Sequence, residues 1–322
     1  MISKAENKLS EGINESLFEF AEYDDEAAKR AGYSNYSYWR STLQEFMKNK
    51  IAVFLLIVMG VLLLFTIIQP YLPNQKPPTL INIDSNTNMQ LRNQKPNSEF
   101  WFGTNSIGQD LWSRIWSGSR TSLMIGLVVG GWEAIIGIII GALWGYVRWL
   151  DRPITEIYNV INNIPNTIIL VLLTYIMRPS LSTMIFAMCL TGWLGMARFV
   201  RNQIIILRDR EYNLASKCLG TPTSRIISKN LLPYLVSVIM LRFALSIPQT
   251  IGYEVFLTYI GLGLPVSTPS LGNLINEGRA LILSPSLRYQ LIIPSIIISI
   301  ITISFYVIGN AFADAADPRN HV

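Results

Sequence analysis

Histidine occurs once, at His321, and cysteine twice, at Cys189 and Cys218. So few imidazole and thiol groups exclude a metal centre built on them and a histidine acid-base site. Cys189 sits in an apolar run and Cys218 in a charged one, which argues against a structural disulfide. Charge is scarce too: 15% of residues are Asp, Glu, Lys or Arg, against about 25% in ordinary soluble domains. No G-x-x-x-x-G-K-[ST] run occurs, so no phosphate loop of that kind is present. Residues 1–50 are polar and acidic with no early apolar stretch, and no cleaved signal peptide is expected. Basic residues outnumber acidic ones, 26 to 21, but no basic run is interleaved with aromatics, which excludes nucleic acid as partner.

What the chain has instead is apolar length. Half of its 322 residues are hydrophobic and the mean hydropathy is +0.34, a balance that points to lipid as solvent. Residues 51–70 hold an uncharged apolar run whose Ile, Leu, Val and Phe side chains favour insertion by roughly 4 to 8 kcal/mol. A second span is expected over 122–147, where Glu133 nearly cancels the roughly 3 to 5 kcal/mol gained by the apolar residues around it. Four more follow at 154–177, 181–197, 231–260 and 291–313, which makes an all-α membrane protein with six transmembrane helices. The third carries a break ending at Pro165, and the fifth contains Pro248, Arg242 and Glu254, so both are expected to bend and expose backbone inside the bundle.

Lys and Arg set the orientation. Seven in residues 1–50, Arg148, Arg152, seven between Arg198 and Lys229, and Arg319 would lie on the side of the N-terminus, seventeen of 26. Both termini, the tail 314–322 included, are therefore expected in the cytoplasm, with 71–121 and 261–290 as external loops. Two segments read as amphipathic helices, on the bilayer surface or packed on the protein. One places Tyr36, Trp39, Leu43, Phe46 and Met47 on a face. The other aligns Ile107, Leu111, Trp112, Ile115 and Trp116 after a capping box at Ser106 and Gln109.

The cytoplasmic segment 198–230 is the most informative. Its run RDREYNLASKCLGTPTSRIISKNLLP, residues 208–233, reads as two short helices. Gly220 is expected to close the first in a left-handed conformation, Thr221 to cap and Pro222 to start the second. A charged hairpin of this length suits a docking surface.

Here the chain resembles the permeases of binding-protein-dependent ABC importers, and among them the C-type subunit of the oligopeptide and dipeptide branch. Their loop reads EAA, three residues, Gly, nine residues, I-x-L-P. Leu214, Ala215, Ser216, Gly220, Asn230, Leu232 and Pro233 occupy those positions, with Leu214 for the Glu, Ser216 for the second Ala and Asn230 for the Ile. Arg210, Glu211 and Tyr212 match the peptide-importer form of the loop. The likeness continues through Phe102, Gly103, Thr104 and Asn105, Gly108 to Asp110, Ser113 and Arg114, and the stretch from Gly118 to Leu123. It resumes at Glu254, at Tyr259 to Gly263, at Pro269 to Gly272, at Gly309 and Asn310, and at Asp314 to Arg319.

The resemblance implies a type I ABC importer permease in a bacterial inner membrane, paired with a B-type permease, two cytoplasmic ATPases of D and F type, and an external peptide-binding protein. ATP and Mg would be bound by the ATPases, with no cofactor and no catalysis on this chain. It carries ATPase docking onto residues 210–222. Pro165, Pro248, Glu254 and Glu133 are the residues expected at the translocation path or its gate, and of these Glu254 matches a family position and reads as a gate or interface residue. Glu133 fits two readings, a wall of the peptide path or partner contact, and a carboxyl hydrogen-bonded within the bundle. Arg242 reads as locally paired or snorkelling, and Gly126, Gly130, Gly131, Gly137 and Gly141 as close-packing positions.

Dipeptide, nickel-chelate and glycoside importers share these motifs and remain alternatives. A self-contained secondary transporter would use Glu133, Arg242 and Glu254 as coupling groups, but no second half repeats the first. A membrane enzyme would need clustered nucleophiles or metal ligands, and the sequence shows none.

Overall fold

The computed structural model describes residues 38–316. The acidic N-terminal segment, Tyr36, and the closing Asp317, Pro318 and Arg319 lie outside the described residues. The chain divides into two units, 1–41 and 42–322, and the second contains the membrane-spanning architecture.

Helix α1 (Tyr38–Lys48) leads through the N-cap Asn49, whose Oδ1 accepts from Ala52 N, into α2 (Lys50–Ile68). Of the expected apolar face on α1, Phe46 is buried with Ala52, Ala311 and Ala315, while Leu43 and Met47 stay exposed. Helix α3 (Leu111–Tyr146) is one continuous element of 36 residues. The amphipathic piece expected before the second span is therefore split, and its second half forms the first turns of α3. No Gly-Pro breaker separates the two, and the cap is Asp110, which accepts from Trp112 N and Ser113 N, in place of the expected Ser106 box.

Helices α4 (Arg148–Asn162) and α5 (Asn166–Met177) meet at a 73° bend where Pro165 follows Asn163 and Ile164. Proline without an N–H, and the extended residue it demands before it, cause the break. Helix α6 (Leu181–Arg208) runs eleven residues past the expected end of the fourth span because Val200 and Ile204 keep an apolar stripe buried. The hairpin helix α7 (Glu211–Cys218) follows. A turn of helix (Thr223–Arg225) and a π-helical segment (Ile226–Leu231) then join directly onto α8 (Leu232–Tyr259). Pro248 lies inside α8, which continues through it without a break. Helix α9 (Leu271–Arg279) and the final α10 (Tyr289–Ala315) complete the set. Five stretches are long and apolar enough to cross a membrane, and the α4–α5 pair makes six if counted as one span.

Helix α3 is the spine, and its small residues decide what lies against it. A Cβ on Gly130 would come within 2.9 Å of Ser246 Oγ, and one on Gly126 within 3.0 Å of Ile247, both on α8. Further along, Gly137 abuts Met196, Gly141 abuts Ala197 and Gly145 abuts Ile204, all on α6. Gly131 has nothing within 4 Å. Removing Cβ lets two backbones approach, which in lipid replaces the hydrophobic effect as the source of helix association.

The outer segment between α2 and α3 has no long strand, only isolated bridges such as Ile81 with Gln109 and Thr104 with Asp110. Asp84 closes one turn by accepting from Asn86 N and Thr87 Oγ1, which together hold its carboxyl below the usual range. The segment is tied to the bundle by side chains. Fully buried Arg114 pairs with Glu277 of α9 at 2.6 Å and donates to Gln109, while Asn105 Nδ2 reaches Gln109 at 3.0 Å and Glu277 at 3.3 Å. Tyr289 donates to the carbonyl of Gln94 at 2.8 Å. Gly103, at φ +76°, lies where any Cβ would strike the Gln94 carbonyl oxygen, so much of the family-like run there serves to fasten this loop.

Candidate translocation cavity and coupling hairpin

Inside the bundle a cavity of about 250 Å³ opens among α3, α6, α8 and the α4–α5 bend. Glu133, Asn162, Asn166, Thr191, Arg242 and Gln249 give it a polar wall. Pro165 lies on the same wall, so the bend expected from sequence brings Asn162 and Asn166 to the cavity. On α6, Gly192 makes room for Glu133, because a Cβ there would collide with the carboxylate, and Gly195 faces Arg242 Nη2. These two glycines, Asn166 and Gln249 escaped the sequence reading. The only signal was polar or small residues recurring in spans that lipid alone would not tolerate.

The two other residues expected at the path or its gate lie outside this cavity. Neither Pro248 nor Glu254 lines this cavity. Glu254 is completely enclosed and accepts hydrogen bonds from Ser270 Oγ at 2.7 Å, Ser122 Oγ at 3.0 Å and Thr258 Oγ1 at 3.4 Å. Ser122 in turn accepts from Leu271 N at 3.1 Å. The carboxyl thus joins α3, α8 and the start of α9, and Gly272 leaves no space for a Cβ beside it.

The hairpin is built from local rules and two long reaches. Arg210 has extended backbone at the N-cap of α7, and Glu211 is in the first turn, where a negative charge meets the positive end of the helix. Gly220 has φ +77°, its N–H bonds to Lys217 O at 3.0 Å, and Thr221 N bonds to Ser216 O at 3.1 Å. That pair of bonds is a Schellman closure. The second helix starts from Pro222, whose carbonyl accepts from Arg225 N and Ile226 N. Thr221 therefore does not cap it: Pro222 holds the N-cap position, and no side chain accepts from the first turn.

Asn230 Nδ2 donates to Ser216 Oγ at 3.2 Å, and the rings of Tyr212 and Tyr234 lie 6.1 Å apart. Both contacts tie α7 to the base of α8, where Leu232 is half-buried and Pro233 is exposed in the first turn. Asn213, buried and absent from the sequence reading, donates to Leu207 O at 2.8 Å. Arg208 Nη1 donates to Gly145 O at 2.7 Å, linking the end of α6 to the end of α3. Arg210, Glu211, Tyr212, Leu214 and Ala215 all present exposed surface, and Leu219 at the tip is 86% exposed. Fixed from behind and bare in front, the hairpin has the form of a docking element.

The family model described as binding-protein-dependent transport system inner membrane component matches residues 135–322. A second, the N-terminal TM domain of oligopeptide transport permease C, matches 37–96. The chain is a C-type permease of the oligopeptide and dipeptide ABC importers. It is 38% identical over 309 residues to the oligopeptide transport system permease protein AmiD of Streptococcus pneumoniae, covering 96% of this chain and 99% of that one. The oligopeptide permease OppC of Bacillus subtilis is 31% identical, with 96% and 99% covered, and the dipeptide permease DppC of the same species 35%, with 88% and 86%. In fold it matches a chain of the MetNI methionine ABC transporter, solved in inward-facing conformations, at TM-score 0.51 and 21% identity, over 63% of this chain and 97% of that one. An oligopeptide-type permease is thus a multi-pass inner-membrane subunit of the type I fold.

Proposed function

We propose that this permease forms one half of the path by which an ATP-driven importer moves oligopeptides inward, and that it receives the power stroke through residues 208–233. The partners are a B-type permease, two cytoplasmic ATPases of D and F type and an external peptide-binding protein. The observation that carries the reading is the hairpin: α7, closed at Gly220, is braced to α6 by Asn213 and to α8 by Asn230. A force applied to its exposed face is transmitted to two spans, and both α6 and α8 contribute to the wall of the polar cavity.

The chain does no chemistry in this reading; ATP and Mg belong to the ATPases. Glu133 and Pro165 line the path, and Glu254 acts from behind it by holding α9 against α3 and α8. The N-terminus, the hairpin and the C-terminal tail are cytoplasmic, consistent with the distribution of Lys and Arg. Several basic residues there also have local work, as Arg201 pairs with Asp151 at 2.7 Å.

Purification and transport test the proposal together. The subunit should co-purify with ATPases and a second permease, and vesicles holding the complex should take up peptide with ATP inside an unenergised membrane. Uptake driven by an ion gradient without ATP would support the secondary-transporter reading instead.

A further inference from the structure

We propose that Glu133 and Arg242 form a two-signed site for zwitterionic peptides, in which Glu133 receives an ammonium group and Arg242 a carboxylate or backbone carbonyl. It rests on the reading of the cavity as the translocation path.

An acid and a guanidinium in spanning helices are costly and normally neutralise one another. These two share one cavity wall, yet no hydrogen bond or ion pair joins them among the described residues. The separation is built in. Gly192 holds open the notch for the carboxylate, and the guanidinium lies over Gly195, one turn along the same helix.

A third group points to the ligand. Asn166 Oδ1, on the same wall, is buried and accepts no hydrogen bond. A carboxylate and an orphan carbonyl oxygen are both acceptors, and an ammonium offers three donors and no acceptor. The guanidinium is donor only and matches carboxylates. An anionic cargo would be repelled at Glu133 and a purely cationic one at Arg242, whereas a peptide with both termini free satisfies each.

The test uses the complete transporter, with its ATPases and binding protein, reconstituted in vesicles. The probes are trialanine, N-acetyl-trialanine and N-acetyl-Ala-Ala-Lys. Glu133→Gln should slow trialanine uptake roughly tenfold to a hundredfold, the worth of a charged hydrogen bond, and should not slow N-acetyl-trialanine, an anion that Glu133 repels in the wild type; an equal loss for both peptides would overturn the proposal. If N-acetyl-Ala-Ala-Lys loses as much as trialanine, a side-chain ammonium serves as well as the α-amino group; if it is unaffected, Glu133 reads the N-terminus.

A second readout stands even where acetylated peptides do not enter. In a Cys189→Ala, Cys218→Ala, Gln249→Cys background, the new thiol should be protected by trialanine, and the ratio of its reaction with a cationic and an anionic methanethiosulfonate is the reference. Adding Glu133→Gln should shift that ratio about tenfold toward the anion, and Arg242→Gln in the opposite direction. Absence of protection would remove the path reading itself. Protection with an unchanged ratio and unchanged uptake in Glu133→Gln would overturn the charge site alone.

Discussion

The amide of Asn213 donates from Nδ2 to the backbone carbonyl of Leu207 across 2.8 Å. It ties the middle of the hairpin helix to the last turn of α6, on a carbonyl that also accepts from Arg210 N at 3.2 Å. An exposed eight-residue helix has little stability of its own, so this bond and the Asn230–Ser216 contact set its position.

Asn213→Ala should remove one bond to Leu207 O, which keeps the N–H of Arg210 at 3.2 Å, at a cost of about 0.5 to 1.5 kcal/mol. Asn213→Asp should be worse, since it places a carboxylate against a carbonyl. Both should speed hydrogen exchange over residues 211–218 while exchange in α3 and α8 stays at wild-type rates. Unchanged exchange in the hairpin would mean the bond bears no load.

Glu254→Ala should leave the hydroxyls of Ser122 and Ser270 without their acceptor in an enclosed space, while Thr258 keeps the backbone carbonyl of residue 254 at 2.9 Å, and should loosen α9 from α3 and α8. A loss of several kcal/mol is expected, of the size seen when one partner of a buried charged network is removed. The measurement is thermal unfolding of the purified subunit complex, which should fall by several degrees; an unchanged midpoint would show that the network holds nothing.

Gly137→Leu and Gly131→Leu form a matched pair. At Gly137 a side chain would meet Met196 and Ala197, whereas Gly131 has open space. The first should lower membrane abundance severalfold through overpacking, and the second should not. Equal abundance would contradict the α3–α6 packing.

Orientation is checked through Cys218, a free and exposed thiol on α7. A membrane-impermeant thiol reagent should label it in inside-out vesicles stripped of ATPases and leave it untouched in intact cells. Labelling from outside would invert the topology.

Legibility followed the range of the forces. The apolar runs, the stop at Pro165 and the left-handed Gly220 depend on neighbours within a turn or two, and all could be read from the chain. The placement of Glu254 could not, because Ser122 lies 132 positions away and Ser270 sixteen. An intramembrane carboxylate looks the same in sequence whether it faces a path or a ring of hydroxyls. Helix ends were misjudged where no breaker marks them: α3 starts eleven residues before the apolar run, and α6 continues through Arg198 and Arg201, whose charges are met by Tyr158 and Asp151. At Pro248 α8 accommodates one lost N–H without a break.

The central claim is that the hairpin couples ATP hydrolysis to peptide movement, and Gly220 is where it can be tested with least collateral damage. Nothing lies within 4 Å of a Cβ there, so the only penalty of a side chain is its φ of +77°. That costs about 1 to 2 kcal/mol for most residues and more for a β-branched one, too little to unfold the bundle. Peptide uptake, membrane abundance and retained ATPase should be measured side by side for Gly220→Val and for Gly220→Asn, which tolerates the left-handed region. The account predicts normal abundance for both, near-normal uptake for Gly220→Asn, and for Gly220→Val either lost ATPase or ATP hydrolysis without uptake. Normal uptake with normal ATPase retention in Gly220→Val would contradict it.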